Sequence, residues 1–271
     1  MGRSASLAGE VPGEPVGTAP ARGAAADCGA EALLAARLMQ LSPDEVAQEF
    51  HALGAFVHVP EFLPTQLSSR LSTIAAALEP HVHRNRLPGH KQGGSVSRHG
   101  LDELAPEVAR LYRAPALLQW LSRVAGEPLQ LSPAEDPHAY ALYYYTRPGD
   151  FIGWHYDTSY YAGRRYTVLI GVLDESSCEL QYELYTREAG RTPLPGALRI
   201  PPGGLVFFDG DRLRHRITPL REGERRVALT LEYLTDARMH RGWRLISNLK
   251  DAFGYFGFAD VFRRRRRPDA S

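Results

Sequence analysis

The side chains with the clearest chemical potential are His155 and Asp157, in Gly153-Trp154-His155-Tyr156-Asp157, and His215, far downstream in Phe207-Phe208-Asp209-Gly210-Asp211-Arg212-Leu213-Arg214-His215. Two imidazoles and one carboxylate can hold one face of a divalent metal and leave the other open, which suits non-haem Fe(II) and oxygen chemistry. Alternate residues of a strand point to the same side, about 6.6–6.8 Å apart, so His155 and Asp157 can converge on one ion from a single strand end. His215 must arrive from a second strand, as it does if Phe207-Phe208 leads through a turn at Gly210 into a returning strand. Taken singly, each of the three reads more simply as a surface residue. The stretch from Thr158 to Gly163 is a polar and aromatic turn, and Arg212 to Arg216 is basic.

The elements needed to position these residues are legible around them. From Ala139 onward, short β-branched or aromatic runs cover Ala139–Thr146, Tyr166–Leu173, Leu180–Tyr185, Ala197–Ile200, Leu205–Phe208, His215–Thr218 and Arg226–Leu234. Gly or Pro punctuates many of the gaps, the pattern of strands and turns. The N-terminal third is helical instead. Leu33, Leu34, Leu38 and Met39 recur at helical spacing. Ser42-Pro43-Asp44-Glu45 reads as an N-cap, a proline at the first position and a capping box, ahead of the apolar Val46, Phe50 and Leu53 and a stop at Gly54. A short strand over Ala55–Val59, a helix over Pro64–Leu78 and a helical pair over Leu101–Val124 follow. Residues His81–Gly100 show no periodicity and read as a long functional or mobile loop. The expected fold is mainly β with N-terminal helices: a double-stranded β-helix (jelly roll, cupin-like) buttressed by α-helices on one face.

Composition narrows the class. Residues 1–30, rich in Ala, Gly and Pro, read as a disordered tail, residues 31–262 as one domain, and 263–271, with Arg263–Arg267, as a basic tail. A net charge of +1 argues against nucleic acid as a partner. No run reaches the length of a membrane span, and no apolar segment before Glu10 marks a secretory signal. Cys28 and Cys178 have no disulfide or zinc spacing, which fits a reducing cytoplasm.

The flanks of the three site residues carry a resemblance. Tyr145-x-x-Pro148-Gly149-Asp150, leading to Asp157, and Pro202-Gly203-x-Leu205-Val206-Phe207-Phe208-x-Gly210, leading to His215 and then Pro219, resemble the Fe(II)- and 2-oxoglutarate-dependent oxygenase superfamily. The resemblance spans about residues 42–235 and is densest over 143–234. It implies that His155, Asp157 and His215 are the iron ligands, that 2-oxoglutarate and O2 are cosubstrates, and that an arginine after His215 grips the far carboxylate of 2-oxoglutarate. Arg225 and Arg226 both stand in reach of that role. A strand sends alternate residues to opposite faces. Arg226, Ala228, Thr230 and Glu232 form the small, polar set a dicarboxylate pocket needs, whereas Arg225 leads an apolar set. Arg226 is therefore the expected clamp, with Arg225 the alternative. Tyr145 and Thr167 are further candidates for the cosubstrate, and Trp154 and Tyr156 for the substrate side.

A narrower resemblance, over His155–Ser177, Val206–Asp236 and Ser247–Gly257, is to the bacterial free-amino-acid halogenases and hydroxylases. The halogenases of that family have glycine where this chain has Asp157, so the resemblance points to the hydroxylase type. It implies hydroxylation of an unactivated C–H bond in a small, amino-acid-like substrate, with succinate and CO2 as co-products. Desaturation, cyclisation, a peptide- or carrier-bound substrate, and a cupin-like binding protein without turnover remain the alternatives. For a free amino acid, Glu232 is expected to face the ammonium or the side chain, with Thr230 beside it. Arg84, Arg86 and Arg98 on the 81–100 loop would then close over the carboxylate.

Overall fold

The computed structural model describes residues 22–159 and 161–238, with backbone conformation only for residues 22–28. The basic run at 263–267 and the motif at 247–257 lie outside the described residues. Six helices precede most of the sheet: α1 (Arg22–Gln40), α2 (Pro43–Ala52), α3 (Thr65–Leu78), α4 (Arg98–Leu104), α5 (Pro106–Arg113) and α6 (Pro115–Ala125). The start of α1 at Arg22 makes residues 22–30 of the expected tail helical, in keeping with their alanine content. Ser42 caps α2 by accepting a hydrogen bond from the Glu45 N–H at 3.3 Å, with Pro43 behind it. The expected helical pair over 101–124 is three helices, because Pro106 and Pro115 each start a new one.

The strands are β1 (Phe56–Val59), β2 (His83–Leu87), β3 (Lys91–Val96), β4 (Gln130–Leu131), β5 (Tyr140–Tyr145), β6 (Phe151–His155), β7 (Arg165–Glu175), β8 (Leu180–Leu184), β9 (Leu194–Leu198), β10 (Leu205–Asp209), β11 (Arg214–Ile217) and β12 (Arg225–Leu234). They form one antiparallel, curled sheet in the order β1-β10-β7-β12-β5-β3-β6-β11-β8-β9, with β2 on β3 and β4 on β12. This is the expected jelly roll backed by helices. One apolar cluster lies between the helices and the β10-β7-β12-β5 half, and a second fills the inside of the roll. On β12 the alternation is sharp: Val227, Leu229, Leu231 and Tyr233 pack into the helix-side cluster, while Arg226, Ala228, Thr230 and Glu232 line the interior cavity. No helix among the described residues is long and apolar enough to cross a membrane.

The segment expected to be a loop, His81–Gly100, is mostly a hairpin. β2 pairs with β3, and β3 continues onto β5 and β6. Gly93 and Gly94 hid the strand from the sequence pattern. A side chain on Gly94 would stand 2.3 Å from Val82 Cγ1, so glycine is what permits the close pairing. The hairpin is pinned by Arg84, which donates to both oxygens of the fully buried Asp150 at 2.8 and 2.6 Å. Asp150 also accepts the N–H groups of Thr146 and Arg147.

Candidate active site

His155 closes β6 and His215 lies on β11, and the two are direct cross-strand partners. Their ring centres are 4.1 Å apart. Each Nδ1 faces a backbone carbonyl, Gly153 at 2.8 Å and Leu213 at 3.2 Å, so Nδ1 carries the hydrogen and Nε2 keeps its lone pair. Both Nε2 atoms point to Asp157, at 3.4 Å from Oδ1 for His155 and 3.7 Å from Oδ2 for His215. One donor atom from each of the three residues lies within 4.8 Å of the others. Asp157 sits two residues beyond the end of β6 and needs other restraints. Thr167, on β7, donates its hydroxyl to Asp157 Oδ2 at 2.9 Å. Gly210 packs so closely that a side chain there would stand 2.7 Å from the Asp157 carbonyl.

Electrostatics prepares these groups as ligands. Burial lowers His215 to about 4, helped by the neighbouring His155, with Asp157 working the other way, so its imidazole is neutral near pH 7. Burial pushes Asp157 upward, but the adjacent His215, His155 and Arg165 outweigh it and hold the carboxyl far below its usual range. Two imidazoles with their Nε2 atoms turned inward and an ionised carboxylate are the donor set that a hard-to-borderline divalent ion takes. The residues therefore fit Fe(II).

The triad opens into a cavity of about 290 Å³, bounded among others by Leu87, His90, His138, Tyr143, Tyr145, Ile152, Tyr156, Arg165, Arg226, Thr230 and Glu232. The two candidate arginines part company here. Arg226 is 4 % exposed, lies 5.2 Å over the Tyr145 ring and has no ion pair among the described residues. Arg225 is half-buried on the other face and pairs with Glu79 at 2.6 Å. Burial pushes Tyr145 up to about 12, with Arg226 opposing it, so its hydroxyl stays neutral.

Other expected residues fall differently. Thr230 lines the cavity but gives its hydroxyl to the Ala141 carbonyl. Tyr156 lines it too, with its hydroxyl on Thr186. Trp154 is absent from the cavity wall, its ring covered by Arg214 and Arg216. Arg98 is held in α4, donating to the Pro133 carbonyl at 2.8 Å, and does not reach over the cavity. Glu232 is in the wall, but its Oε2 accepts from Arg165 Nε at 2.8 Å and lies 2.9 Å from the Thr167 hydroxyl oxygen, whose one hydrogen it shares with Asp157. Burial pushes Glu232 up to about 7, against the pull of Arg165. Sequence reasoning passed over Arg165, His90 and His138. Arg165 follows Arg164 in a basic pair just ahead of the strand expected from Tyr166; only its cross-strand register with Leu234 puts it inside.

A family description, Halogenase D, matches residues 40–164, a span that includes His155 and Asp157. No curated protein matches. Solved structures with a similar fold include the non-heme α-ketoglutarate-dependent epimerase SnoN from nogalamycin biosynthesis, with a TM-score of 0.58 and 16% identity over 71% of this chain and 80% of that one. A prolyl hydroxylase from Trichoplax adhaerens, solved with a hypoxia-inducible-factor peptide, has a TM-score of 0.58 and 15% identity over 79% and 95%. A prolyl 4-hydroxylase from Phytophthora capsici has a TM-score of 0.54 and 21% identity over 83% and 73%. At these identities the likeness establishes the fold: that of 2-oxoglutarate- and iron-dependent oxygenases.

Proposed function

We propose that the protein is an Fe(II)- and 2-oxoglutarate-dependent dioxygenase that hydroxylates an unactivated C–H bond of a small, amino-acid-like substrate. The observation that carries this reading is the convergence of His155, Asp157 and His215 within 4.8 Å, in the same cavity as the buried Arg226, which has no ion pair among the described residues. The match to a halogenase family and the oxygenase fold support it. Where halogenases of the resembling family have glycine, Asp157 supplies a third protein ligand, which favours hydroxylation.

In this reading His155, Asp157 and His215 hold the metal, and Arg226 grips the far carboxylate of 2-oxoglutarate with a fork whose charge is permanent. Tyr145 packs beneath that fork and keeps it extended. When bound, Fe(II) and 2-oxoglutarate supply the oxygen chemistry, and the protein supplies position, charge and a dry wall. Thr167 keeps Asp157 turned toward the two imidazoles. Glu232 offers negative charge to the substrate ammonium. The cavity has room for a dicarboxylate and one small molecule, and the buried, free Cys178 fits a reducing cytoplasm.

The test is incubation of the iron-loaded protein with 2-oxoglutarate, oxygen and a panel of free amino acids, following succinate and products heavier by one oxygen atom. A coupled product from at least one amino acid is expected. No product from any of them, alongside turnover of a peptide- or carrier-bound residue, would overturn the small-substrate claim. Absence of oxygen-dependent succinate with every substrate would leave a cupin-like binding protein.

A further inference from the structure

Two buried arginines line the cavity, and 2-oxoglutarate accounts for only one. Arg165 is 8 % exposed. Its Nε donates to Glu232 Oε2, and neither terminal nitrogen makes a hydrogen bond among the described residues. Glu232 is the counterpart: its Oε2 accepts from Arg165 and lies against the Thr167 hydroxyl, while Oε1 accepts nothing among the described residues. Both line the cavity. The next carboxylate, Asp136, is already engaged by the Tyr161 hydroxyl and the His138 N–H. An arginine and a carboxyl joined along one edge thus turn a positive fork and a carboxyl oxygen, side by side, toward the same space.

This pair stands apart from the 2-oxoglutarate clamp. Glu232 lies six residues beyond Arg226 on β12, roughly 20 Å between the two backbones along an extended strand, so the pair and the clamp stand toward opposite ends of the cavity wall. It is instead one hydroxyl from the triad, since Thr167 lies 2.9 Å from both Glu232 Oε2 and Asp157 Oδ2. A simple anion would meet Arg165 with Glu232 beside it, and a simple cation would meet the reverse. Only a ligand that carries both charges on adjacent atoms leaves neither group buried against a like charge.

We propose that the Arg165–Glu232 pair seats the head group of a free α-amino acid, the carboxylate on the terminal nitrogens of Arg165 and the ammonium on Oε1 of Glu232. The inference rests on the small-substrate reading above and names the residues that select the substrate class. An amine without the carboxylate, or an acid without the amine, leaves one half of the pair unmatched. A peptide-bound residue lacks both charges, so the seat excludes it.

The test is equilibrium binding of the twenty free L-amino acids and their primary amides to the anaerobic Fe(II) protein saturated with 2-oxoglutarate, and again without metal and cosubstrate. At least one amino acid is expected to bind, with its amide weaker by about tenfold or more, the loss of one good charged contact. In Arg165→Met that preference should fall below about threefold, while 2-oxoglutarate affinity stays within about threefold of wild type. Arg165→Met combined with Glu232→Gln keeps the buried charge balanced, should the single variant not fold. Persistence of the preference in either variant, or no binding by any amino acid with or without the metal, would overturn the seat. A fall of 2-oxoglutarate affinity in Arg165→Met would make Arg165 the cosubstrate clamp instead. Failure of the wild-type protein to hold Fe(II) or 2-oxoglutarate would count against the oxygenase reading and leave the seat to be judged by the amino-acid titration alone.

Discussion

At the scale of single residues, strand alternation separates neighbours that look alike in sequence. Arg226 faces the cavity and Arg225 faces Glu79 on the outside. Replacing Arg226 by Met would leave the 2-oxoglutarate carboxylate buried without its partner, a loss of about 2–5 kcal/mol. The 2-oxoglutarate KM should therefore rise by about tenfold or more, and Arg225→Met should leave it nearly unchanged. A reversed result, read from initial-rate kinetics, would contradict the strand-face assignment. Thr167 is a positioning residue, and its substitution separates orientation from bulk. Thr167→Val keeps the shape but removes the hydroxyl that steadies Asp157, so Fe(II) affinity should fall by about tenfold or more. Thr167→Ser should restore it. Equal metal affinity in the Val and Ser variants would show that the hydroxyl does not matter. The triad was legible because its spacing and flanks are local. Arg165 was not, because its place is set by pairing with β12, nearly seventy residues away in sequence.

At the scale of elements, the strands around the site were visible wherever β-branched and aromatic side chains run together, as in β5, β7, β10 and β12. The β2–β3 hairpin was not, since Gly93 and Gly94 carry no side chains to show a period. Two of the three arginines expected on a lid are tied down: Arg84 is bound to Asp150 and Arg98 to Pro133. From this hairpin the cavity receives Leu87 and His90 instead. Arg84→Met would leave the buried Asp150 carboxylate without its counter-charge, and breaking such a pair costs about 3–5 kcal/mol. Urea unfolding should show that loss, and a change below about 1 kcal/mol would show that the two backbone N–H groups suffice for Asp150. The helical layer makes its own contribution. Phe50 is fully buried and stacks on Phe207 at 5.1 Å, so Phe50→Ala should destabilise by about 3–5 kcal/mol without a direct effect on the triad.

At the scale of the whole molecule, folding encloses charged groups along with apolar ones, and one of them should mark the pH dependence of stability. Lys91 is 2 % exposed, with its ammonium 4.6 Å from the centre of the Tyr143 ring. Burial lowers it from 10.5 to about 7. Between those values the unfolded chain binds the proton and the folded chain does not, so the Lys91 contribution makes stability rise with pH from about 7 toward 10.5. Below about 7 the full penalty is present. Lys91→Met should be more stable than wild type at neutral pH, with the advantage shrinking as pH approaches 10. Parallel melting curves at every pH would show that Lys91 does not carry that slope. The architecture brings these pieces to one purpose: a helix-backed roll whose inner face carries the triad, Arg226 and the Arg165–Glu232 pair in a single cavity. The most direct test of that account is oxygen-dependent conversion of 2-oxoglutarate to succinate by the Fe(II)-loaded protein, compared between wild type and His215→Ala. The account predicts turnover in wild type that requires iron and oxygen, and neither iron retention nor turnover in the variant. Full activity in His215→Ala, or succinate formation independent of oxygen, would contradict it.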